Sequence, residues 1–82
     1  MRLPRDVSGE KLASLLKRYG YQITRQTGSH MRLTSTYRGD EHHITIPRHK
    51  NLRVGTLSEI LSNVADYLQI SKDELIRELF GA

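Results

Sequence analysis

The chain of 82 residues is long enough for one small domain and too short for a second hydrophobic core. It is 37% hydrophobic and 27% charged, as soluble globular domains are, and no apolar run approaches the roughly 18 residues of a membrane span. It has no cysteine, which excludes a disulfide framework, a thiolate zinc site and a cysteine nucleophile, and we expect a cytoplasmic protein.

The positive charge is concentrated in the first part of the chain. Residues 1–57 carry 11 Lys and Arg against 4 Asp and Glu, a net charge of +7. Residues 58–82 carry 2 against 5, a net charge of −3, and the two parts add to the overall +4. All four histidines lie between positions 30 and 49. This asymmetry predicts a polyanionic partner for the middle of the chain.

The first element is predicted to be a helix over about Gly9–Tyr19. Ser8 can cap its first turn, and Gly20 can end it in the left-handed conformation. The apolar side chains recur at i, i+3, i+4 and i+7, which is typical of a helix with one buried stripe. That stripe consists of Leu12, Leu15, Leu16 and Tyr19.

Three strands are predicted next, because apolar and polar residues alternate over Tyr21–Thr27, Ser29–Tyr37 and His42–Pro47. Period two in three successive segments indicates an antiparallel meander with one buried face. In the second strand the alternation turns Met31 and Leu33 inward. The face left to solvent then carries His30, Arg32 and Thr34.

The two hairpin loops can be read from their turn residues. A three-residue loop over 26–28 is expected to place Gly28 at a positive φ. The second loop is expected over 38–41, and its register pairs Leu33 with Ile46. Pro47 has no amide hydrogen to give to a neighbouring strand, so we expect it to end the third strand.

Two capping boxes predict the last two elements. Thr56-Leu57-Ser58-Glu59 is expected to open a helix, which the chain enters through Gly55, and Ser71-Lys72-Asp73-Glu74 is expected to open a shorter one. The apolar face of the longer helix comprises Leu57, Ile60, Leu61, Val64 and Leu68. The element order is therefore α-β-β-β-α-α, an α+β fold with a three-stranded antiparallel sheet and helices on one of its faces.

The exposed sheet face carries groups suited to RNA cleavage without a metal ion. Such cleavage needs a base for the 2′-hydroxyl proton, cations at the phosphate and preferably an acid for the leaving oxygen. His30 can act as the base, since an imidazole suits proton transfer near pH 7, and Arg32 lies beside it. The expected register also brings His49 opposite His30, where it could act as the acid. Taken alone, a strand histidine is more often an ordinary surface residue than a catalytic one.

Other sites have less support in the sequence. His42 and His43 are adjacent in a strand, so their side chains point to opposite faces and do not form a two-histidine metal site. Ser29 and His30 are not a nucleophile–base pair for the same reason. No phosphate-binding glycine motif and no zinc-protease motif is present. We expect neither a metal nor a cofactor.

Four segments resemble the HicA toxin family of mRNA interferases. They are LLKRYGY at 15–21, RQTGSHM at 25–31, IPRHK at 46–50 and VGTLSEIL at 54–61. Their order and spacing match over about residues 8–68. The resemblance implies a double-stranded-RNA-binding-like α-β-β-β-α fold and ribosome-independent, metal-independent mRNA cleavage. It also implies that His30, in the Gly-Ser-His motif, is the catalytic residue.

The resemblance also sets expectations for domains and partners. The chain 1–82 is expected to be a single HicA-like domain with a core over about 8–68. A helical extension over about 71–80 goes beyond the usual end of the family and could alter antitoxin contacts. The implied partners are mRNA and a HicB-type antitoxin that blocks the active site. No membrane association is expected, and a monomer is favoured for the toxin alone.

The expected site residues fall into two groups beside the catalytic His30. Residues expected to bind RNA are Arg25, Ser29, Arg32, Arg48, His49, Lys50 and Arg53. Residues expected to shape the backbone are Gly28, Pro47, Gly55 and Thr56. Two alternatives stay open: a non-catalytic RNA-binding module of the same fold, and a degenerate member that only binds or regulates. The intact Gly-Ser-His motif argues against the degenerate member.

Overall fold

The computed structural model describes residues 3–81 and confirms the expected α+β fold with the order α-β-β-β-α-α. The strands form one antiparallel sheet in the order β1-β2-β3. No helix within the described residues is long and apolar enough to cross a membrane. The elements are α1 Gly9–Leu16, a 3₁₀ turn Lys17–Tyr19, β1 Gln22–Thr27, β2 His30–Ser35, β3 His42–Pro47, α2 Val54–Leu68 and α3 Lys72–Phe80.

The core lies between the helices and the inner face of two of the three strands. Met31 and Leu33 of β2 are buried, as are Ile44 and Ile46 of β3. All six residues of β1 are exposed, and the side chain of Ile23 is 45% accessible although it pairs with the buried Leu33. The expectation of a buried face on every strand was therefore wrong for β1, because Ile23 borders an open groove beside α1 and is not covered by a helix.

Two of the expected helix caps are confirmed. The Ser8 hydroxyl accepts a hydrogen bond from the Lys11 amide at 2.9 Å, and the Ser71 hydroxyl accepts one from the Glu74 amide at 3.0 Å. After α1 the chain tightens into the 3₁₀ turn, which ends at Gly20 with φ +80°. The expected glycine stop is thus confirmed, although the α-helix itself ends three residues before Tyr19.

The expected start of α2 at a Thr56 cap was wrong. The helix begins at Val54 after an extended Arg53, which forms no side-chain capping bond, and Thr56 lies inside the first turn. The preceding Leu52 explains the earlier start: it is buried, and its amide donates to the Val7 carbonyl at 2.7 Å. Gly55 also lies within the first turn, where a Cβ would meet no atom within 4 Å, so the fold does not require glycine there.

Helix α3 joins the core through its apolar face. Leu75, Ile76 and Leu79 are buried. Glu78 connects α3 to the 3₁₀ turn, since its carbonyl accepts from the Arg18 guanidinium at 2.7 Å and its carboxylate accepts from the Tyr19 hydroxyl. Burial, together with this carboxylate, raises the pKa of Tyr19 to about 12. The last helix is therefore packed against the rest of the domain.

The first hairpin is tighter than expected. Thr27 pairs with His30, which leaves a two-residue turn in which Gly28 has the expected positive φ of +53°. The three-residue loop was wrong because β1 contains a bulge between Ile23 and Arg25. The extra residue of a bulge shifts the faces of the strand by one position, so the alternation of β1 cannot be extended through it.

The second hairpin differs from the expected register by two residues. Leu33 pairs with Ile44 rather than Ile46, and the loop spans six residues, 36–41. A slip of two keeps every side chain on the same face, so the alternation of apolar residues does not distinguish these registers. The longer loop is fixed by the Tyr67 hydroxyl, which donates to the Asp40 carbonyl at 2.7 Å and accepts from the Arg38 amide at 2.9 Å.

Candidate nucleic-acid interface

His30 is the first residue of β2 and lies on the exposed outer face of the sheet. Its neighbours across the sheet are Thr27 in β1 and Pro47 in β3. Arg32 is two residues further along the same face, at about 7 Å from the spacing of a strand. Arg25 pairs directly with Arg32, because the bulge has moved it there. An imidazole and two guanidinium groups therefore share one open surface.

The expected pairing of His30 with His49 was wrong. Pro47 takes the position opposite His30, as the last residue of β3, and His49 lies two residues beyond it in the following loop. The ending of the strand at Pro47 is confirmed. The register therefore does not bring His49 opposite His30, where it could have acted as the acid for a leaving group.

The loop of residues 48–53, the basic loop, is attached to the domain through its backbone. The Arg48 amide donates to the Ser29 carbonyl at 2.6 Å, and the His49 carbonyl accepts from the Gly9 amide at 2.9 Å. Leu52 completes the attachment through its buried side chain and its hydrogen bond to the Val7 carbonyl. The loop is therefore held against the first hairpin and the start of α1 mainly by its backbone and by Leu52.

Gly9 is a residue that the sequence analysis missed. A Cβ at this position would lie 1.9 Å from the Pro47 carbonyl oxygen, so only glycine permits α1 to approach the end of β3 this closely. One signal was available: glycine immediately after the Ser8 cap is about 1 kcal/mol less favourable than alanine in a helix. A glycine that is kept in a helix despite this cost can mark a close approach of two backbones.

Most of the basic side chains at this end are available for a ligand. The Arg48 guanidinium forms an exposed ion pair with Glu10 at 3.1 Å. The other side chains make no hydrogen bond or ion pair to any of residues 3–81: Arg25, His30, Arg32, His49, Lys50 and Arg53. Ser29 contributes its carbonyl to the loop rather than its hydroxyl.

A groove between β3 and α2, the β3–α2 groove, begins beside His30. Its volume is about 390 Å³. It has polar and apolar walls and contains Glu59 as its only acidic side chain. The lining residues are His30, His43, Ile44, Thr45, Pro47, Thr56, Glu59, Ile60 and Asn63. The expected site residues Pro47 and Thr56 thus meet His30 in one groove, whereas Arg25 and Arg32 lie beside it on the sheet.

The family comparison agrees with the geometry of this end. The model of the HicA toxin of bacterial toxin–antitoxin systems matches residues 9–65, which is well over half of the chain. The chain belongs to the HicA toxin family. No match was found among the curated proteins or the solved structures. The protein is therefore the toxin of a bacterial toxin–antitoxin system, and the matched segment runs from Gly9 into the last turn of α2, leaving α3 outside.

The outer face of this HicA toxin also carries a row of hydrogen bonds that the sequence analysis did not identify. The Thr34 hydroxyl lies 2.9 Å from the Thr24 hydroxyl and 2.8 Å from Nδ1 of His43. Nε2 of His43 lies 3.4 Å from the Glu41 carboxylate. The row crosses all three strands, and its first member, Thr24, lies within the bulge of β1.

At the opposite end of the sheet, the first histidine of the His42-His43 pair lies in a packed environment. His42 stacks on Tyr67 with ring centroids 4.6 Å apart, and its Nδ1 lies 2.6 Å from the Tyr21 hydroxyl. Burial, with a smaller effect of His43, lowers the pKa of His42. The expectation that His42 and His43 face opposite ways is confirmed. Within residues 3–81 no group of three or more His, Cys, Asp or Glu is arranged to hold a metal ion.

Proposed function

We propose that this HicA toxin is a ribosome-independent and metal-independent endoribonuclease that cleaves mRNA, with His30 as the general base. One observation carries the proposal: the exposed imidazole of His30 lies at the mouth of the β3–α2 groove and beside unpaired cations. A base and cations around one open site are the groups that cleavage by the 2′-hydroxyl needs.

In the proposed reaction His30 removes the proton of a ribose 2′-hydroxyl. The 2′ oxygen attacks the adjacent phosphorus, and the bond from phosphorus to the 5′ oxygen breaks. The leaving oxygen takes a proton from water, so the products are a 2′,3′-cyclic phosphate and a 5′-hydroxyl. Arg32 and the cations of the basic loop, including Arg48 and Lys50, stabilise the charge that develops on the phosphate. Arg25, Ser29, His49 and Arg53 extend the proposed RNA contacts.

The proposed partner in the cell is a HicB-type antitoxin that acts in the cytoplasm. An acidic surface or inserted segment of the antitoxin would neutralise the positive end of the sheet and cover His30. We expect the complex to protect the basic loop from hydrogen exchange and His30 from chemical modification of the imidazole. We expect the free toxin to be a monomer. If His30 is modified as fast in the complex as in the free toxin, this mode of inhibition is contradicted.

The decisive experiment is cleavage of a purified RNA in EDTA, without ribosomes, by the wild type, His30→Ala and His42→Ala. His30→Ala should slow cleavage by about 10²- to 10⁴-fold, the usual contribution of a general base. Its free energy of unfolding should change by only a few tenths of a kcal/mol, because the side chain is exposed. His42→Ala should cleave at the wild-type rate per folded molecule.

The same experiment addresses the second candidate, a non-catalytic RNA-binding module. The row of threonines and His43 on the outer face favours it, because these groups offer hydrogen bonds to an RNA backbone but no free base. Binding of RNA without cleavage by the wild type would support that candidate. Cleavage by His30→Ala at the wild-type rate would contradict the role of His30 as the base. Loss of wild-type cleavage in EDTA would contradict metal independence.

A further inference from the structure

We propose that the β3–α2 groove binds one nucleobase of the RNA next to the cleaved bond, and that Glu59 reads a base with an exocyclic amino group. The inference rests on the proposed function, since that function places the reacting phosphate at His30, where the groove begins. The volume of about 390 Å³ lies within the range of about 300–1,000 Å³ for small-molecule sites.

The polar side of the groove is supplied by one face of α2. Thr56, Glu59 and Asn63 are spaced by three and four residues, which places them in one row along the helix. None of their side chains makes a hydrogen bond or ion pair to another residue in the described part of the chain. A hydroxyl, a carboxylate and an amide are therefore available to a ligand from a rigid element.

The remaining walls suit the faces of a planar base. Pro47 and the edges of Ile44 and Ile60 give the groove apolar surface, and Thr45 adds a hydroxyl from β3. A nucleobase has the matching chemistry, with apolar faces and a polar edge. Single-stranded RNA offers such bases, because they can leave the stack and be read on their edges.

The charge of Glu59 decides which part of the nucleotide enters. A carboxylate repels a phosphate, so the phosphates must stay at the basic end by His30 while the uncharged base occupies the groove. A carboxylate only accepts hydrogen bonds. It therefore favours the exocyclic amino groups of cytosine, adenine or guanine over uracil, whose single donor N3–H lies between two carbonyl acceptors that the carboxylate repels. The amide of Asn63 can donate and accept beside it.

The test measures binding of nine-nucleotide RNAs made of uridine, in which one position at a time carries A, C or G. The riboses are 2′-O-methylated, so that the oligonucleotides cannot be cut. Fluorescence anisotropy is recorded for the wild type, Glu59→Ala and the control Asp66→Ala. Asp66 is an exposed acid of the same helix outside the groove, so its removal changes the net charge equally.

At one position we expect an amino-bearing base to bind the wild type about 5- to 150-fold more tightly than uridine, as one good base contact does. Glu59→Ala should lose this preference, because the amino-bearing oligonucleotide then binds no more tightly than the all-uridine one, and Asp66→Ala should keep it. The side-chain amide signal of Asn63 should shift on addition of the preferred oligonucleotide.

Equal binding of all bases by the wild type, or an unchanged preference in Glu59→Ala, would overturn the inference. An Asn63 amide that shifts with the antitoxin but not with RNA would also overturn it, by assigning the groove to a protein partner. Failure of the proposed function is seen separately, as the absence of cleavage of unmodified RNA by the wild type.

Discussion

The two ends of the sheet contain histidines in opposite situations. At the end with the basic loop, His30 is exposed and its imidazole makes no bond to a described residue. At the other end, His42 stacks on Tyr67 and shares a hydrogen bond with the Tyr21 hydroxyl. The same residue type thus holds the fold together at one end and is presented to solvent at the other.

The difference lies in which atoms make the structural bonds. The end around His42 is held by side chains, including the Tyr67 hydroxyl that fixes the second hairpin loop. The end around His30 is held by hydrogen bonds of the Arg48 and Leu52 amides and the His49 carbonyl, together with the buried side chain of Leu52. Backbone attachment positions the loop and leaves most of its charged side chains for a ligand. Substitutions at the two ends should therefore affect different properties.

The largest effect on stability should come from Gly9→Ala. The added Cβ would lie 1.9 Å from the Pro47 carbonyl oxygen, and both atoms belong to the backbone framework that positions the basic loop. We expect a loss of at least about 2 kcal/mol in the free energy of unfolding, as for a strongly overpacked site. Chemical denaturation with urea measures it.

Gly55→Ala is the matched control for that substitution. Both glycines lie in the first turn of a helix, but a Cβ at position 55 would meet no atom within 4 Å. Alanine should therefore stabilise the domain by up to about 1 kcal/mol through its helix propensity. Similar losses for both variants would contradict the close packing of α1 against the end of β3.

The sequence predicts the local features of this fold and not those that depend on distant contacts, as the two glycines and the strands show. Helix caps and periodicities are local, so Ser8, Ser71 and the inward residues of β2 and β3 could be predicted. The register of β2 against β3 could not, because it depends on contacts of Tyr67, which lies more than 25 residues from the loop that it fixes. The bulge in β1 and the role of Gly9 likewise depend on neighbours that are distant in the chain.

The candidate site shows the same division. The charge pattern and the alternation of β2 predicted an exposed His30 beside Arg32, and the structure has both on the outer face. The β3–α2 groove could not be predicted, because it forms between elements whose relative position is set by the core. Glu59 was therefore interpreted only as part of a helix cap.

His42→Ala should have the next largest effect. The substitution removes a stacked aromatic pair and leaves the Tyr21 hydroxyl without its partner. We expect a loss of roughly 1–2 kcal/mol in the free energy of unfolding at pH 7.5, with RNA affinity unchanged. Parallel denaturation and RNA-binding measurements separate the two properties, and a loss of RNA affinity would contradict the division between the ends.

The pH dependence of stability sharpens that test. The pKa of His42 is lowered below 6.5 in the folded chain, mainly by burial. As pH falls, the unfolded chain takes up the proton first, so this contribution to stability is complete above pH 6.5 and is lost as pH falls below it. The decline should be shallower in His42→Ala. An identical decline in both proteins would contradict a lowered pKa of the partly buried His42 in the folded chain.

Neutralising one cation at the basic end should change salt dependence rather than stability. If about four phosphates are bound, the slope of log affinity against log salt should be near −3, at roughly −0.7 per contact on single strands. Arg32→Ala and Lys50→Ala should each make the slope less steep by about 0.7. Arg77→Ala, on the last turn of α3, is the control and should leave the slope unchanged. A wild-type slope near zero would contradict phosphate binding at this end.

The smallest effect should come from Glu10→Gln, which breaks the ion pair with Arg48. Both side chains are exposed, at 68% for Glu10 and 37% for Arg48, so the pair should contribute no more than about 1 kcal/mol to stability. The guanidinium that it releases lies in the basic loop, and the carboxylate that it removes opposes the binding of a phosphate. RNA affinity should therefore rise slightly, and the slope of log affinity against log salt should become steeper. Both changes are the reverse of those expected for Lys50→Ala. Competition binding at two salt concentrations detects the change, and weaker binding by Glu10→Gln would show that the ion pair positions Arg48 for RNA instead of competing with it.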